Sequence, residues 1–167
     1  MTWPEPVERV AFFLRNSGAE ARLEEVSTED GTAAAAADAV GCTLGQIVKT
    51  LVLTCDGQAV VALVAGDRRA DTSKIARLLG VRRAAVARSA EVQAATGFAP
   101  GAVAPFPLPG VESVLVDRSL LRHALVWAGG GSSQHLVAIA PLELVRLTQG
   151  RVEEIGLLTE AAPSEPA

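Results

Sequence analysis

The clearest pattern in the first half of the chain is a change in apolar spacing from helical to extended. At 4–17, apolar residues recur three and four positions apart, with Pro4 suited to a first turn and Gly18 to a stop, so this segment predicts an amphipathic helix. The runs at 46–53 and 59–65 are continuous, rich in β-branched residues and separated by an Asp-Gly pair. This arrangement predicts a β-hairpin.

Shorter apolar segments predict the remaining elements. Helices are predicted at 32–40, 71–80, 89–97 and 141–150, with Asp71 and Ser89 as N-terminal caps of the second and third. Strands are predicted at 21–26, 84–87, 112–116, 124–128 and 136–140. Together these elements predict a mixed α/β fold in which a curved sheet is covered by helices. We expect one domain over 1–156 and a frayed tail over 157–167, because apolar periodicity ends there.

Two loops are rich in residues that expose or stiffen the backbone. The segment 97–110 combines prolines with glycines, which favours stiff irregular structure over a strand. The segment 129–134 begins with three glycines and leads directly into His135. Glycine lets a ligand approach the main chain, and exposed amides can stabilise an oxyanion. Taken alone, each loop is more typical of an ordinary turn or connection.

Lys49 lies inside the apolar run of the first hairpin strand, in a chain with thirteen arginines and one other lysine, Lys74. Burying an ammonium group is unfavourable unless the charge is paired or used. In one interpretation the side chain points outward, with its stem over apolar neighbours. In the other, which we favour, the lysine holds an anionic or carbonyl-bearing ligand.

Composition and charge narrow the classes of function. The 167 residues are 49% hydrophobic, typical of a folded soluble protein, and the formal charge of -4 argues against a general nucleic-acid coat. The segment 67–88 carries seven cations and two acids, a pattern typical of either a polyanion-binding face or a solvated surface.

Cys42 and Cys55 lack companions at metal-ligand spacing, so we expect reduced thiols, no metal and no cofactor. Without a leader or a membrane-spanning apolar run, we expect a cytoplasmic protein with no membrane partner.

Familiar catalytic motifs do not occur in this sequence, and histidines are few. It contains no Gly-x-Ser-x-Gly elbow, phosphate loop, His-Glu-x-x-His motif or dinucleotide-binding glycine fingerprint. His123 follows an arginine in a predicted helical turn and is interpreted as a surface residue. His135 opens an apolar strand after the glycine loop, where a ligand contact and a structural role are equally open.

Six short motifs in a fixed order resemble the YbaK and prolyl-tRNA synthetase associated editing-domain family. They are Gly-Gln-Ile-Val-Lys-Thr-Leu-Val at 45–52, Gly-Asp at 66–67, Lys-Ile-Ala at 74–76, Gly-Ala-Val-Ala-Pro at 101–105, the three glycines at 129–131 and Pro-Leu at 141–142. The resemblance covers roughly residues 5–150. It implies a barrel-like mixed sheet surrounded by helices, and a metal-independent domain that hydrolyses the ester of mischarged aminoacyl-tRNA. An aspartate that some members carry near the last glycine loop falls on Leu136 here.

The resemblance also implies roles for individual residues. Lys49 matches the essential lysine of the family, and the loop at 101–105 matches the segment that places backbone groups around the aminoacyl ester. On this basis the substrate-binding candidates are Thr50, Phe98, Gly101, Ala102, Val103, Pro105, Gly129, Gly130 and His135. Of these, Phe98, Ala102 and Val103 are expected to shape a small pocket that selects the aminoacyl side chain by size.

The predicted function is a free-standing deacylase acting in trans on a tRNA mischarged with a small amino acid such as alanine, serine, threonine or cysteine. Lys49 would orient the ester or the terminal adenosine, and amides near Gly101 would stabilise the oxyanion. The arginines expected to contact acceptor-stem phosphates are Arg68, Arg69, Arg82 and Arg83. The partners would be mischarged tRNA and an aminoacyl-tRNA synthetase. The alternative is a noncatalytic module that binds the tRNA acceptor end or an aminoacyl-nucleotide.

Overall fold

The two apolar runs form the central hairpin of a computed structural model that describes residues 3–28 and 31–159. The strands are β1 (Ala21–Glu25), β2 (Val48–Cys55), β3 (Gln58–Ala65), β4 (Arg68–Ala70), β5 (Ala84–Val86), β6 (Ser113–Asp117), β7 (Val126–Gly129), β8 (His135–Ile139), β9 (Arg151–Glu153) and β10 (Gly156–Leu158). The helices are α1 (Glu5–Asn16), α2 (Ala33–Val40), α3 (Thr72–Leu79), α4 (Ser89–Thr96) and α5 (Pro141–Thr148). Short 3-10 helices cover Leu44–Gln46 and Arg118–Arg122.

The β2–β3 hairpin turns at Asp56 and Gly57, as the sequence predicts. Both residues have positive φ angles, 48° and 86°, which is the requirement of a type I′ turn. The register pairs Cys55 with Gln58 at the tip and Lys49 with Val64 near the other end. The hairpin is therefore a full eight-residue ladder whose two ends lie far apart.

The strands form three sheets. In the largest, the order is β5-β2-β3-β6-β9, with β6 and β9 parallel to β3 and the other pairings antiparallel. A second, antiparallel sheet has the order β1-β8-β7, and a third consists of β10 and β4. A parallel bridge between Ile47, the residue before β2, and Trp127 on β7 connects the first sheet to the second. The mixed α/β class is confirmed; in residues 3–28 and 31–159 the sheets form no closed barrel, so the barrel-like shape stays a prediction.

Polar caps and left-handed residues set the helix ends where the sequence places them. The Thr32 hydroxyl accepts a hydrogen bond from Ala35 N, and Asp71 accepts one from Lys74 N, both at 3.1 Å. Gly80 ends α3 with φ of 67°. The predicted cap Ser89 is wrong by one residue, because Arg88 occupies the cap position and its amide donates to the Glu91 carboxylate at 2.9 Å.

Both faces of the central hairpin are buried, which explains why its strands are continuously apolar rather than alternating. One face, with Val48 and Val52, packs into the largest hydrophobic cluster together with α1 and β8. The other face, with Leu53 and Cys55, packs against α3 through Ile75. A polar side chain on either face of the hairpin is therefore shielded from water by the elements that pack on that face.

Three short strands were not predicted from the sequence. Strands β4, β9 and β10 have three residues each, and unlike the equally short β5 none of them is an uninterrupted apolar segment. Leu157 and Leu158 pair with Arg69 and Arg68, so ordered structure extends past the predicted start of the frayed tail at 157. The rest of that tail, 160–167, lies outside the described residues. Within the described ranges, no helix is long and apolar enough to cross a membrane.

Candidate active site

Lys49 is completely buried on β2, with no solvent exposure, so the outward-pointing interpretation of this lysine is wrong. Its Nζ donates a hydrogen bond to the carbonyl of Arg68 on β4. The side chain belongs to the face of the hairpin that packs against α3, because it lies opposite Val64 in the ladder. The structure thus holds an ammonium group in a fixed position inside the protein.

A short series of contacts leads from Lys49 to the start of α2. Gly66 N donates to Ile47 O at 2.8 Å, which brings the β3–β4 connection against β2. A Cβ on Gly66 would lie 2.5 Å from Leu44 O and 3.3 Å from the Ala33 Cβ, so only glycine fits between these neighbours. Lys49, β4 and the N-terminus of α2 are therefore packed side by side.

A small cavity of about 10 Å³ lies beside the N-terminal part of α2. Its lining residues come from three loops and α2, and they are Thr28, Gly31, Thr32, Ala36, Gly101, Ala102, Gly129, Ser132, Ser133 and Leu136. Three of the predicted substrate-binding residues therefore meet here, from two loops that are distant in sequence. Lys49 is not among the described residues that line the cavity, but the Ile47–Trp127 bridge sets its strand beside the strand that ends at Gly129.

The loop at 101–105 offers fewer free amides than the sequence implies. Ala102 N donates to Ala99 O at 3.0 Å, so this amide is already used within the turn. Gly101 has a φ of 81°, a left-handed conformation that favours glycine, and its N–H has no hydrogen-bond partner among the described residues. Of the residues of this loop that line the cavity, Gly101 is the one whose amide is not already used.

The glycines at 129–131 are needed because backbone from other segments comes very close. A Cβ on Gly129 would lie 2.7 Å from Val103 O, and one on Gly130 would lie 2.8 Å from His135 O. Gly130 N donates to that same His135 carbonyl at 2.8 Å. The three glycines are therefore a tight packing element that fixes the two glycine-containing loops against each other, rather than a flexible connection.

Four predicted substrate-binding residues lie away from the cavity. Phe98 is fully buried in the main hydrophobic cluster, where the Arg9 guanidinium lies 4.5 Å from its ring centroid. Val103 belongs to the same cluster, and Pro105 lines a separate groove with Phe106. Thr50 is buried, and its hydroxyl has no hydrogen-bond partner within the described part of the chain.

His135 does not line the cavity, but it contacts a residue that does. Its Nδ1 lies 2.6 Å from the Ser132 hydroxyl, and its Nε2 lies 3.6 Å from a carboxylate oxygen of Glu25. Ser132 and Glu25 were missed in the sequence, although Ser132 follows the three glycines directly. The sequence signal that could have indicated Ser132 is its position in the glycine loop, three residues before His135.

The four predicted tRNA-binding arginines do not form one patch. Arg68 and Arg69 lie on β4, near the Lys49 end of the hairpin, and Arg69 is exposed. Arg82 and Arg83 lie beside the hairpin tip, where both backbone amides donate to the Asp56 carboxylate. Because Lys49 and Cys55 are six residues apart on one strand, the two pairs are separated by roughly 20 Å.

The cysteines offer no activated nucleophile. Burial raises the pKa of the Cys42 thiol and of the Cys55 thiol, so both favour the protonated, less reactive form. Over residues 3–28 and 31–159, no group of three or more His, Cys, Asp or Glu side chains is placed to hold a metal ion.

Comparison with known proteins places this geometry in a family. The model of the aminoacyl-tRNA editing domain matches residues 29–147, which include Lys49, Gly101 and Ser132. The chain belongs to the aminoacyl-tRNA editing domain family.

Relatives of this editing domain include proteins of similar length and larger enzymes. The multifunctional Ser/Thr-tRNA deacylase ProXp-y of Escherichia coli (strain K12) is 38% identical over 148 residues, which cover 85% of this chain and 87% of that protein. YwhH of Bacillus subtilis (strain 168) is 31% identical over 131 residues, or 83% of its length. A proline–tRNA ligase of Nitratidesulfovibrio vulgaris (strain DP4) is 38% identical over 81 residues, which span 14% of that enzyme.

A solved structure supports the same assignment. The crystal structure of a candidate trans-editing enzyme for prolyl tRNA synthetase superposes with a TM-score of 0.87 at 34% identity, covering 93% of this chain and 99% of that one. The mixed α/β arrangement described above is therefore the fold of this editing domain.

Proposed function

We propose that this chain is a trans-acting aminoacyl-tRNA deacylase that hydrolyses the ester of a tRNA mischarged with a small amino acid. The observation that carries the proposal is the buried Lys49, held beside the strand that leads to the glycine-lined cavity. The similarity to the Ser/Thr-tRNA deacylase ProXp-y supports the deacylase class, and the similarity to a candidate trans-editing enzyme for prolyl tRNA synthetase supports action in trans. We also propose that the protein is cytoplasmic and that its sheets close into a barrel-like shape.

In the proposed mechanism, Lys49 and Gly101 act on opposite parts of the ester. The Lys49 ammonium orients the terminal adenosine or the ester oxygen by charge-assisted hydrogen bonds, which are stronger than neutral ones. Because Lys49 is completely buried in this structure, the residues that cover it must move aside when the substrate binds. The Gly101 N–H donates to the carbonyl oxygen as it gains charge in the tetrahedral intermediate. A water then attacks the carbonyl carbon, and the ester bond to the ribose breaks.

Two features support a small amino acid as the substrate. The cavity has a volume of about 10 Å³ and is lined by glycines, an alanine pair and short hydroxyl side chains. A cavity of this size holds about one water, so its loops must move before any aminoacyl side chain enters. The short side chains that line it then favour a small aminoacyl group over a large one. Leu136 gives the cavity one apolar wall.

The partners in this proposal are a mischarged tRNA and an aminoacyl-tRNA synthetase. Similarity to a segment of a proline–tRNA ligase supports the synthetase, because the same domain occurs within that enzyme. Arg68 and Arg69, beside Lys49, are the arginines best placed to contact the phosphates of the acceptor stem.

The test is multiple-turnover release of amino acid from a panel of tRNAs mischarged with alanine, serine, threonine or cysteine, with a correctly charged tRNA as control. We expect catalytic release from at least one mischarged tRNA and none from the control. A chain that retains tRNA on a filter but releases no amino acid is a noncatalytic binding module instead. The structure gives no observation that favours that second function.

A further inference from the structure

The proposed mechanism leaves the activation of water unassigned, and a three-residue network beside the cavity addresses it. The Ser132 Oγ lies 2.6 Å from His135 Nδ1 and accepts a hydrogen bond from Gln134 N at 3.0 Å. The serine oxygen has a second lone pair, so the hydroxyl donates to Nδ1 in one imidazole tautomer and accepts from it in the other. A proton relay requires the tautomer with the proton on Nε2, in which the serine hydroxyl donates to Nδ1.

His135 is held on its other side by an acidic group. Its Nε2 lies 3.6 Å from Glu25 Oε2, because β1 and β8 pair these two residues directly across the ladder. The Trp3 ring packs edge-on at 5.4 Å, and the histidine is only 3% exposed. Glu25 is the charged group that faces the imidazole among the described residues. Its carboxylate is placed to stabilise a positive charge on His135.

The Nε2 atom has no hydrogen-bond partner in the described part of the chain. Leaving a buried polar nitrogen without a hydrogen bond costs about 1–3 kcal/mol, and the Glu25 carboxylate at 3.6 Å is too far away to supply one. A buried polar atom without a hydrogen bond calls for an explanation, and a role in catalysis is one.

Ser132 is the member of this network that reaches the substrate side. It lines the cavity together with Gly101 and Gly129, whereas His135 lies behind it on the opposite face of β8 from Leu136. The cavity volume of about 10 Å³ is close to the minimum that one water needs. A water held there would lie beside Ser132 and Gly101, which both line the cavity.

We propose that Ser132 is a catalytic residue that relays a proton from the hydrolytic water to His135, with His135 and Glu25 as positioning residues that act through it. This proposal rests on the proposed deacylase function. As the water oxygen bonds to the ester carbonyl carbon, its proton passes to Ser132 Oγ and the serine proton passes to His135 Nδ1. When the carbon–oxygen bond to the ribose breaks, the proton returns through Ser132 to the ribose oxygen. The products are the free amino acid and the terminal ribose hydroxyl.

The test compares single and double variants in the deacylation assay. We expect Ser132→Ala to lower kcat by about 100-fold, the usual size of a lost general base, with KM changed by less than about threefold. His135→Asn keeps an acceptor near the Nδ1 position but takes up no proton, and we expect a similar loss. The double variant should be no slower than the slower single variant, because residues that act as one unit are not additive.

Two further variants separate catalysis from structure. Ser132→Thr keeps the hydroxyl and should retain activity within about fivefold of the original chain, whereas a packing role would be disturbed by the added methyl group. Ser73→Ala, on an exposed position of α3, is the matched control and should change nothing. Circular dichroism of each variant verifies that the chain is folded.

The outcomes distinguish this relay from the proposed function. An active chain whose Ser132→Ala variant keeps its kcat, or whose single effects multiply in the double variant, overturns the relay and leaves the deacylase function standing. A chain that releases no amino acid from any mischarged tRNA overturns both.

Discussion

The two ends of the β2–β3 hairpin use the same kind of interaction in different surroundings. At the tip, the Asp56 carboxylate accepts backbone hydrogen bonds from Arg82 at 2.9 Å and Arg83 at 3.3 Å, in an exposed position. At the other end, Lys49 donates to a backbone carbonyl on β4 while completely buried. In both places, one charged side chain ties the hairpin to the segment that follows it.

The difference in burial separates a structural charge from a functional candidate. An exposed charge remains hydrated, so Asp56 can serve as an ordinary turn anchor at little cost. A buried ammonium loses its hydration, which costs several kcal/mol. Such a residue needs hydrogen-bond partners that offset this cost, or a functional reason to be retained in spite of it. The sequence alone does not show which of the two charges is buried, because Lys49 lies within the apolar run of β2 and Asp56 directly follows that strand.

The strongest way to test this contrast is to remove each charge in turn. We expect Lys49→Met, which fills a similar volume, to lower deacylation by at least about 100-fold, because an oriented charge at the reacting group is lost. Asp56→Asn should keep activity within about twofold and lower the free energy of unfolding by about 1 kcal/mol. Turnover and urea unfolding of both variants provide the measurements.

Volume is the reason to prefer methionine at position 49. Lys49 fills a fully buried site, so alanine would leave a cavity and lower the free energy of unfolding. A loss of turnover in that variant could then come from instability and not from the missing charge. Full turnover by a folded Lys49→Met variant would show that the buried ammonium is structural, like Asp56, and would remove the contrast.

A smaller effect is expected from the two arginine pairs. Arg68→Ala with Arg69→Ala removes two charges beside Lys49, and Arg82→Ala with Arg83→Ala removes the same number at the tip. We expect the first double variant to weaken tRNA binding about threefold to tenfold and to reduce the slope of log affinity against log salt by about 1–2. The tip variant should stay within about twofold. Equal losses from the two variants would mean that the tRNA contacts both ends of the hairpin.

The smallest effect is expected far from both ends, where α5 is tied to the α1–β1 connection. Glu143 binds the Arg146 side chain and accepts from Glu20 N at 2.8 Å, and these hydrogen bonds, Arg146 first, lower its pKa from 4.5 to about 2. Because the folded-state pKa is depressed, the stabilisation is complete above about pH 4.5 and is lost as the pH falls towards 2. Glu143→Gln should lower Tm by about 1–3 °C at pH 7.

The pH dependence provides the control for that variant. The Tm difference between the original chain and Glu143→Gln should shrink between pH 4.5 and 2, as measured by thermal unfolding in a pH series. A difference that stays constant over this range would assign the effect to packing and not to the carboxylate.

The sequence predicted the long elements well because each carries its own local signal. The helix at 4–17, the hairpin with its Asp-Gly turn and the cap at Asp71 all follow from spacing or turn chemistry within a few residues, and α1, β2, β3 and α3 confirm them. Strands β4, β9 and β10 were missed, since a strand such as β10 exists only because β4 lies beside it.

Local sequence also determined the residue types of the site: a lysine within an apolar strand and glycines in two loops. Only the tertiary structure decided which of them meet. Successive residues on a strand point to opposite faces, so packing decided that Leu136 faces the cavity while His135 lies behind Ser132 and opposite Glu25. The same packing enclosed Lys49 and moved Phe98 into the core, because burial depends on neighbours that are distant in the sequence.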